Sequence, residues 1–229
     1  MGSLLNKEKT MANASTVGFG LRAINTVGQT PATSGQAEYQ IQTAPGVAVN
    51  KGDPMSTQDA GNQGFQQDAA FTLTDDGGAG GAGWKNDADA LITGVFNGAF
   101  FIDASGKPTF SNNIVAGQTT SKNYNNASND IEAFIINNPF QQYEVKADAA
   151  VVRTSIGGAL NFNIGNYTAT DNRSGQSIAT LNVASAADGT GGKNMFKLVA
   201  YGNDPTNKDF TVAGGNVIVA ITGGAGLYA

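Results

Sequence analysis

The feature that most constrains this chain is its punctuation. Apolar segments are short, carry β-branched and aromatic residues, and close on Gly, Asn, Asp or Pro about every 8–15 residues, the rhythm of an all-β sandwich or barrel. Long helical periodicity is scarce. Residues 37–43 (AEYQIQT) alternate, with Tyr39 and Ile41 inward; 46–49 and 71–74 are further strand segments, closed by the turns at Lys51-Gly52-Asp53-Pro54 and Asp75-Asp76-Gly77. Residues 92–102 (ITGVFNGAFFI) read as a strand bent at Gly94 and Gly98, because glycine inside a strand marks a bulge or a sharp curve. The turn at 103–108 and the restart at Thr109-Phe110 make it a hairpin. In the second half, 131–136, 140–146, 157–164, 178–183, 196–201 and 216–222 read as strands. Residues 151–156 are a strand or one short helix, and 87–92 a second short-helix candidate.

The polar run 111–130, rich in Asn and Ser, reads as a linker or surface loop. The expected fold is all-β: two small antiparallel β-barrel or sandwich units of about 100 residues each, joined by that polar loop. The expected bounds are 1–16 for a disordered arm or tag, 17–112 for an N-terminal β domain, 113–130 for the linker and 131–229 for a C-terminal β domain. Met11-Ala12-Asn13 reads as a more natural start than Met1, so 1–10 are set aside. The halves are loosely alike, at Tyr39-Gln40-Ile41 and Tyr143-Glu144-Val145, without a convincing alignment.

Composition narrows the chemistry. The chain has no Cys and no His, which removes thiol nucleophiles, disulfides, Ser-His-Asp triads and nearly all transition-metal sites. Its net charge is −5, with three Arg and scattered Lys, so the clustered cations that displace counterions from a nucleic acid are missing, as is a basic membrane-surface helix. The longest apolar run, Val217–Ile221, falls far short of the roughly 20 residues of a spanning helix. Neither nucleic acid nor membrane is an expected partner. The four N-x-S/T matches in a chain this rich in Asn, Ser and Thr read as chance.

Each candidate site meets a simpler reading. Gly78–Gly83 satisfies G-x-G-x-x-G, but no helix follows to place a pyrophosphate, so it reads as a glycine loop. Trp84, at its end, is either packed or an anchor in a partner's pocket. Asp75-Asp76-Gly77 and Asp87-x-Asp89 lack the spacing of a calcium loop and read as solvated turn acids. With four Glu and one Trp there is no marker of a glycosidase carboxylate pair, and no Ser-Lys nucleophile stands out. Phe100, Phe101, Phe110, Phe134, Phe140 and Tyr143 read as core, with a carbohydrate platform as the functional alternative. No catalytic residue, cofactor or metal site is expected, and an enzyme ranks last.

Several segments together resemble the capsid decoration (cement) proteins of tailed bacteriophages, many of them marine. They are Val17-Gly18-Phe19-Gly20, Tyr39-x-Ile41, Gly52-Asp53-Pro54 and, most specifically, 94–111 (GVFNGAFFIDASGKPTFS). This last is similar to the group's G-V-F-x-G-x-x-Y-x-D-x-x-G-x-P-x-F-S, with Phe101 where the group often has Tyr. Asn137-Asn138-Pro139-Phe140-x-x-Tyr143-x-Val145 looks like its D-D-P-x-x-x-F-x-V turn, and Gly175-Gln176-Ser177 and Lys197-Leu198-Val199 echo its later strands. The resemblance runs over residues 17–222; Asn137, Asn138 and the Gly77–Gly83 loop depart from it. It implies an all-β structural protein on the outer capsid surface of the virion. The implied partner is the phage major capsid protein, with self-association as a dimer or trimer on the shell. The candidate contacts are Phe19, Leu21 and Ile24, on an arm at 12–24 that is alternatively an ordinary first strand, together with Trp84. A tail, fibre or surface glycan-binding module is the rival reading. A major capsid protein, which generally uses a long spine helix, comes third.

Overall fold

A computed structural model describes residues 12–27, 35–41, 48–56, 92–115, 117–121, 131–163, 174–183 and 196–222. The described part is nearly all β, in antiparallel sheets, with a single 3-10 turn at Arg153–Ser155 and no α-helix. The undecided segment 151–156 is that turn. The expected strand at 71–74, residues 87–91 of the short-helix candidate at 87–92 and Trp84 lie outside the described residues; Ile92, the last residue of that candidate, opens a strand instead.

The first sheet has six strands: β1 (Arg22–Thr26), β9 (Gln141–Lys146), β13 (Asn216–Ile221), β12 (Phe196–Tyr201), β10 (Ala159–Asn163) and β11 (Thr180–Asn182), in that spatial order. It curls, so that Leu181 on β11 bridges back to Ala147 just past β9. The second sheet orders β2 (Gln36–Ile41), β8 (Ile131–Ile136), β5 (Ile92–Ile102) and β4 (Pro54–Ser56), with β6 (Pro108–Ser111) also on β5. A short ladder joins β3 (Val49–Asn50) to β7 (Asn113–Ile114).

β5 carries the second sheet. Its first half pairs with β4 and its second with β6, while β8 runs along its other edge. The register slips between Phe96 and Gly98, where Gly98 takes φ +149, so the expected bend is a β-bulge. The turn at 103–107 closes the hairpin: the Asp103 carboxylate accepts the N–H groups of Ser105 and Lys107, both at 2.9 Å.

Two cores result. One packs Leu21, Tyr143, Val145, Leu160, Leu181, Phe196, Leu198, Val217, Val219 and Ile221 of the first sheet and its surroundings against Ile92 and Val95 of β5 and Ile136 of β8. The other gathers Val49, Met55, Phe96, Ala99, Phe101, Ile114, Ile131, Ala133 and Ile135. Successive residues of β5 and β8 thus serve opposite cores, as a two-residue period requires. The expected boundary does not sort the strands. β1, from the N-terminal stretch, pairs with β9, and β8, from the C-terminal stretch, lies between β2 and β5. The expected linker itself contains β7, whose Ile114 is fully buried.

Candidate functional site

Residues 12–27 form a strap. The Asn13 amide donates to the carbonyls of Asp209 (2.8 Å) and Ala213 (2.9 Å) and accepts from the Asp209 N–H (3.0 Å). The Ala14 N–H donates to the Thr206 carbonyl (3.1 Å). The expected disordered arm therefore does not extend through 12–16. Further along, β1 pairs Arg22 with Glu144 and Ala23 with Tyr143, then slips register before Thr26 meets Gln141. The bulge disturbs what is otherwise an edge strand.

Of the candidate contact residues, the strap carries Phe19, Leu21 and Ile24 but does not offer them all outward. Leu21 is 3% exposed and belongs to the first core, so it is unavailable to a partner. Phe19 and Ile24 are half-buried. The Phe19 ring lies under two cations, the Arg22 guanidinium at 5.1 Å and the Lys146 ammonium at 5.9 Å. Trp84 is outside the described residues. Of the segment 12–24, residues 22–24 lie in strand β1 and 12–21 form no strand.

Beneath the strap is a polar network. Glu144 and Lys146 fall on the side of β9 opposite Tyr143 and Val145, yet they are only 7% and 3% exposed because the strap covers them. Glu144 takes an ion pair from Arg22 and a hydrogen bond from the Asn216 amide at 3.2 Å. Lys146 donates to the Ser15 carbonyl at 2.7 Å and to Asn207 Oδ1 at 3.3 Å. Burial pulls its pKa down, opposed by the nearby Asp204 and Glu144 carboxylates. Asp204 accepts from the amides of Asn207 (2.9 Å) and Asn216 (3.1 Å) and from Thr206, and the Asn207 and Thr206 bonds hold its pKa down to about 2.

The second constellation is a three-way junction. Gly20 (φ +70) and Gly52 (φ +97) face each other across segments distant in sequence: a Cβ on Gly20 would sit 2.5 Å from Ser177 Cβ and 2.6 Å from the Gly52 carbonyl. A Cβ on Gly18 would run into the Ile178 carbonyl. Backbone bonds stitch the pieces: Leu21 N–H to the Gly52 carbonyl (2.8 Å), Ser177 N–H to Lys51 (2.8 Å), Gly52 N–H to Phe96 (2.8 Å) and Phe96 N–H to Asp53 (2.9 Å). The Gln176 amide donates to the carbonyls of Phe19 (2.7 Å) and Lys51 (2.9 Å). At the centre is Asp53, 2% exposed. Its Oδ2 accepts the Asn50 N–H at 2.7 Å, while its Oδ1 has no partner within hydrogen-bonding reach. Burial pushes its pKa up to about 6, against smaller lowering by hydrogen bonds from Ser177 and Asn50.

The third is the β5–β6 hairpin. Phe100 and Phe110 are cross-strand partners with ring centroids 4.7 Å apart, and Phe110 is 75% exposed, the most exposed large apolar residue among those described. Phe101 and Tyr143 are core, as expected of the aromatics; Phe110 and Phe140 are not. Among the described residues no three acidic side chains gather as a metal site, and no helix is long and apolar enough to cross a membrane. The junction and the strap network went unread in the sequence, although the glycines and Asp53 that build the junction stand in the quoted motifs.

In comparisons with known proteins, no family model, no curated protein and no solved structure matches the chain.

Proposed function

We propose that this chain is a virion structural protein, a decoration protein that binds the outer surface of an icosahedral phage head and strengthens the contacts between capsomers. One observation carries the reading. The segments that resemble the decoration group are scattered over 160 residues, yet Val17–Gly20, Gly52-Asp53-Pro54, Phe96 of the 94–111 signature and Gly175-Gln176-Ser177 meet at a single joint. Motifs shared by chance would have no reason to converge. Their chemistry is architectural: glycines where a Cβ does not fit, and amides that tie carbonyls together. The chemistry of adhesion suits the rest, since an acidic chain with an exposed aromatic hairpin can add buried area to a lattice, and many copies acting together gain avidity. In this reading the partner is the major capsid protein, and copies associate as dimers or trimers on the shell.

The test is titration of purified chain onto particles that lack it. The expected result is saturable co-sedimentation at a fixed copy number, with genome release moved to higher temperature. Particles that neither bind the chain nor gain heat resistance contradict the proposal.

A further inference from the structure

Among the described residues Lys146 is the only buried lysine, and its amine lies against a buried side-chain amide, that of Asn207. Nζ donates to Asn207 Oδ1 at 3.3 Å and to the Ser15 carbonyl at 2.7 Å. The carbonyl carbon of the amide is one bond of about 1.2 Å from Oδ1. At most about 4.5 Å therefore separates it from the amine, against roughly 3–3.5 Å for a near-attack pair, a gap that rotation of the lysine side chain closes. The amide is also held at both ends. Its Oδ1 accepts the Ser15 N–H at 3.3 Å, and its Nδ2 donates to Asp204 Oδ2 at 2.9 Å and to Thr206 Oγ1 at 3.0 Å. An amine thus faces the carbonyl, a backbone donor lies on its oxygen, and a carboxylate lies on the nitrogen that an acyl transfer releases. The Phe19 ring, 5.9 Å from Nζ, helps to keep water out.

We propose that Lys146 and Asn207 join through an isopeptide bond, a covalent staple between β9 and the loop before β13. The Lys146 ammonium passes a proton to the Asp204 carboxylate, and the neutral amine attacks Asn207 Cγ. The Ser15 N–H steadies the oxygen as it becomes an oxyanion. Asp204 then protonates Nδ2, the Cγ–Nδ2 bond breaks, and ammonia leaves with one more proton from Nζ as ammonium. One C–N bond replaces another, one ammonium replaces the lysine's, and no oxidant or co-reactant is needed. Burial pulls the Lys146 pKa down, which favours the first transfer. Asp204, its pKa held down to about 2 by its bonds to Asn207 and Thr206, starts as the carboxylate and acts as base before it acts as acid. A base this weak makes a slow step, but a staple needs a single turnover. The bond links residues 61 apart in sequence and so constrains the unfolded chain as a disulfide does, in a chain without Cys. It also fixes the loop to which Asn13 and Ala14 tie the strap.

The test is mass spectrometry of the full chain, freshly purified and after days of storage in the folded state. The parent is expected to become lighter by one ammonia. Trypsin, which cuts after Lys and Arg, is then expected to release residues 198–208 still attached to residues 123–153, uncut after Lys146. Lys146→Arg keeps the cation but offers no amine, and it is expected to form no branched peptide. Asp204→Asn is expected to slow the linking at least about a hundredfold. A parent that keeps its full mass and cuts normally after Lys146 overturns the proposal. So does a loss of ammonia without a branched peptide, which is an asparagine cyclising on its own backbone. A branch at Asn216, opposite Lys146 across β9 and β13, overturns the choice of Asn207. Linking of Asp204→Asn at the parent's rate overturns the role of Asp204. The branched peptide is sought in the parent itself, so a variant that fails to fold does not decide the result. The staple does not depend on the decoration reading, and neither result changes the other.

Discussion

The strap network and the Asp53 junction both bury charge, and they do it in opposite ways. Under the strap every charge has an answer: Glu144 has Arg22 and Asn216, Lys146 has Ser15 and Asn207, and Asp204 has Asn207, Asn216 and Thr206. Among the described residues, the buried side-chain atoms there without a partner are neutral amide oxygens, Asn216 Oδ1 and Gln141 Oε1. At the junction a carboxylate is enclosed with one oxygen unanswered, and burial outweighs its two hydrogen bonds. The comparison teaches that burial alone does not decide whether a charge stabilises. The strap network exchanges hydration for fitted partners, whereas the junction gains its strength from glycine contacts and backbone bonds in spite of Asp53.

The sharpest way to break the junction is Gly20→Ala. It forces a side chain into φ +70 and onto Ser177 and the Gly52 carbonyl, so a loss of about 4 kcal/mol or more is expected in denaturant unfolding. Gly106→Ala, at φ +87 but with nothing within 4 Å, is the control and should lose only about 1–2 kcal/mol. Next, Lys146→Ala removes the donor that ties Ser15 and Asn207 together and should destabilise by about 3 kcal/mol, with faster proteolysis of the strap.

Asp53→Asn tests the other side of the comparison and should stabilise. A carboxyl raised from 3.8 to about 6 holds a proton in the folded chain that the unfolded chain has released. Its contribution is therefore full below pH 4 and is lost as pH rises to 6. Removing the charge should return about 2–3 kcal/mol at pH 7.5 and abolish the fall between pH 4 and 6 in thermal unfolding. Asp103, Asp204 and Asp209, whose pKa values are lowered, act in the opposite sense, supporting the fold above pH 4 and losing that support as pH falls. The parent is thus expected to be most stable near pH 4–5, and Asp53→Asn to hold a plateau above that. The smallest effect belongs to Arg22→Met. Its side chain is 60% exposed, so the loss should be no more than about 1 kcal/mol and should shrink at high salt.

Strand positions were largely legible because period, β-branching and turn residues are local. Phe196–Tyr201 is a strand over the residues read, and the hairpin and its glycine bend are where the pattern placed them. Partners were not legible. Nothing in Ile131–Ile136 says that it will lie beside β2 and β5, and nothing in Arg22–Thr26 says that it will close on a strand more than 100 residues later. The burial of Glu144 and Lys146 has the same origin. Alternation gives the face of a side chain, but not whether another segment covers that face. Phe110 failed in the converse direction: it reads as core because it is aromatic, and it is 75% exposed.

The central claim is that this chain serves by adhering to a repeating shell. A three-dimensional reconstruction of purified particles tests it most directly. The account predicts a regular array of β-rich density fitting this chain on the outer surface. A bare outer shell, on particles from cells that make the chain, would contradict it.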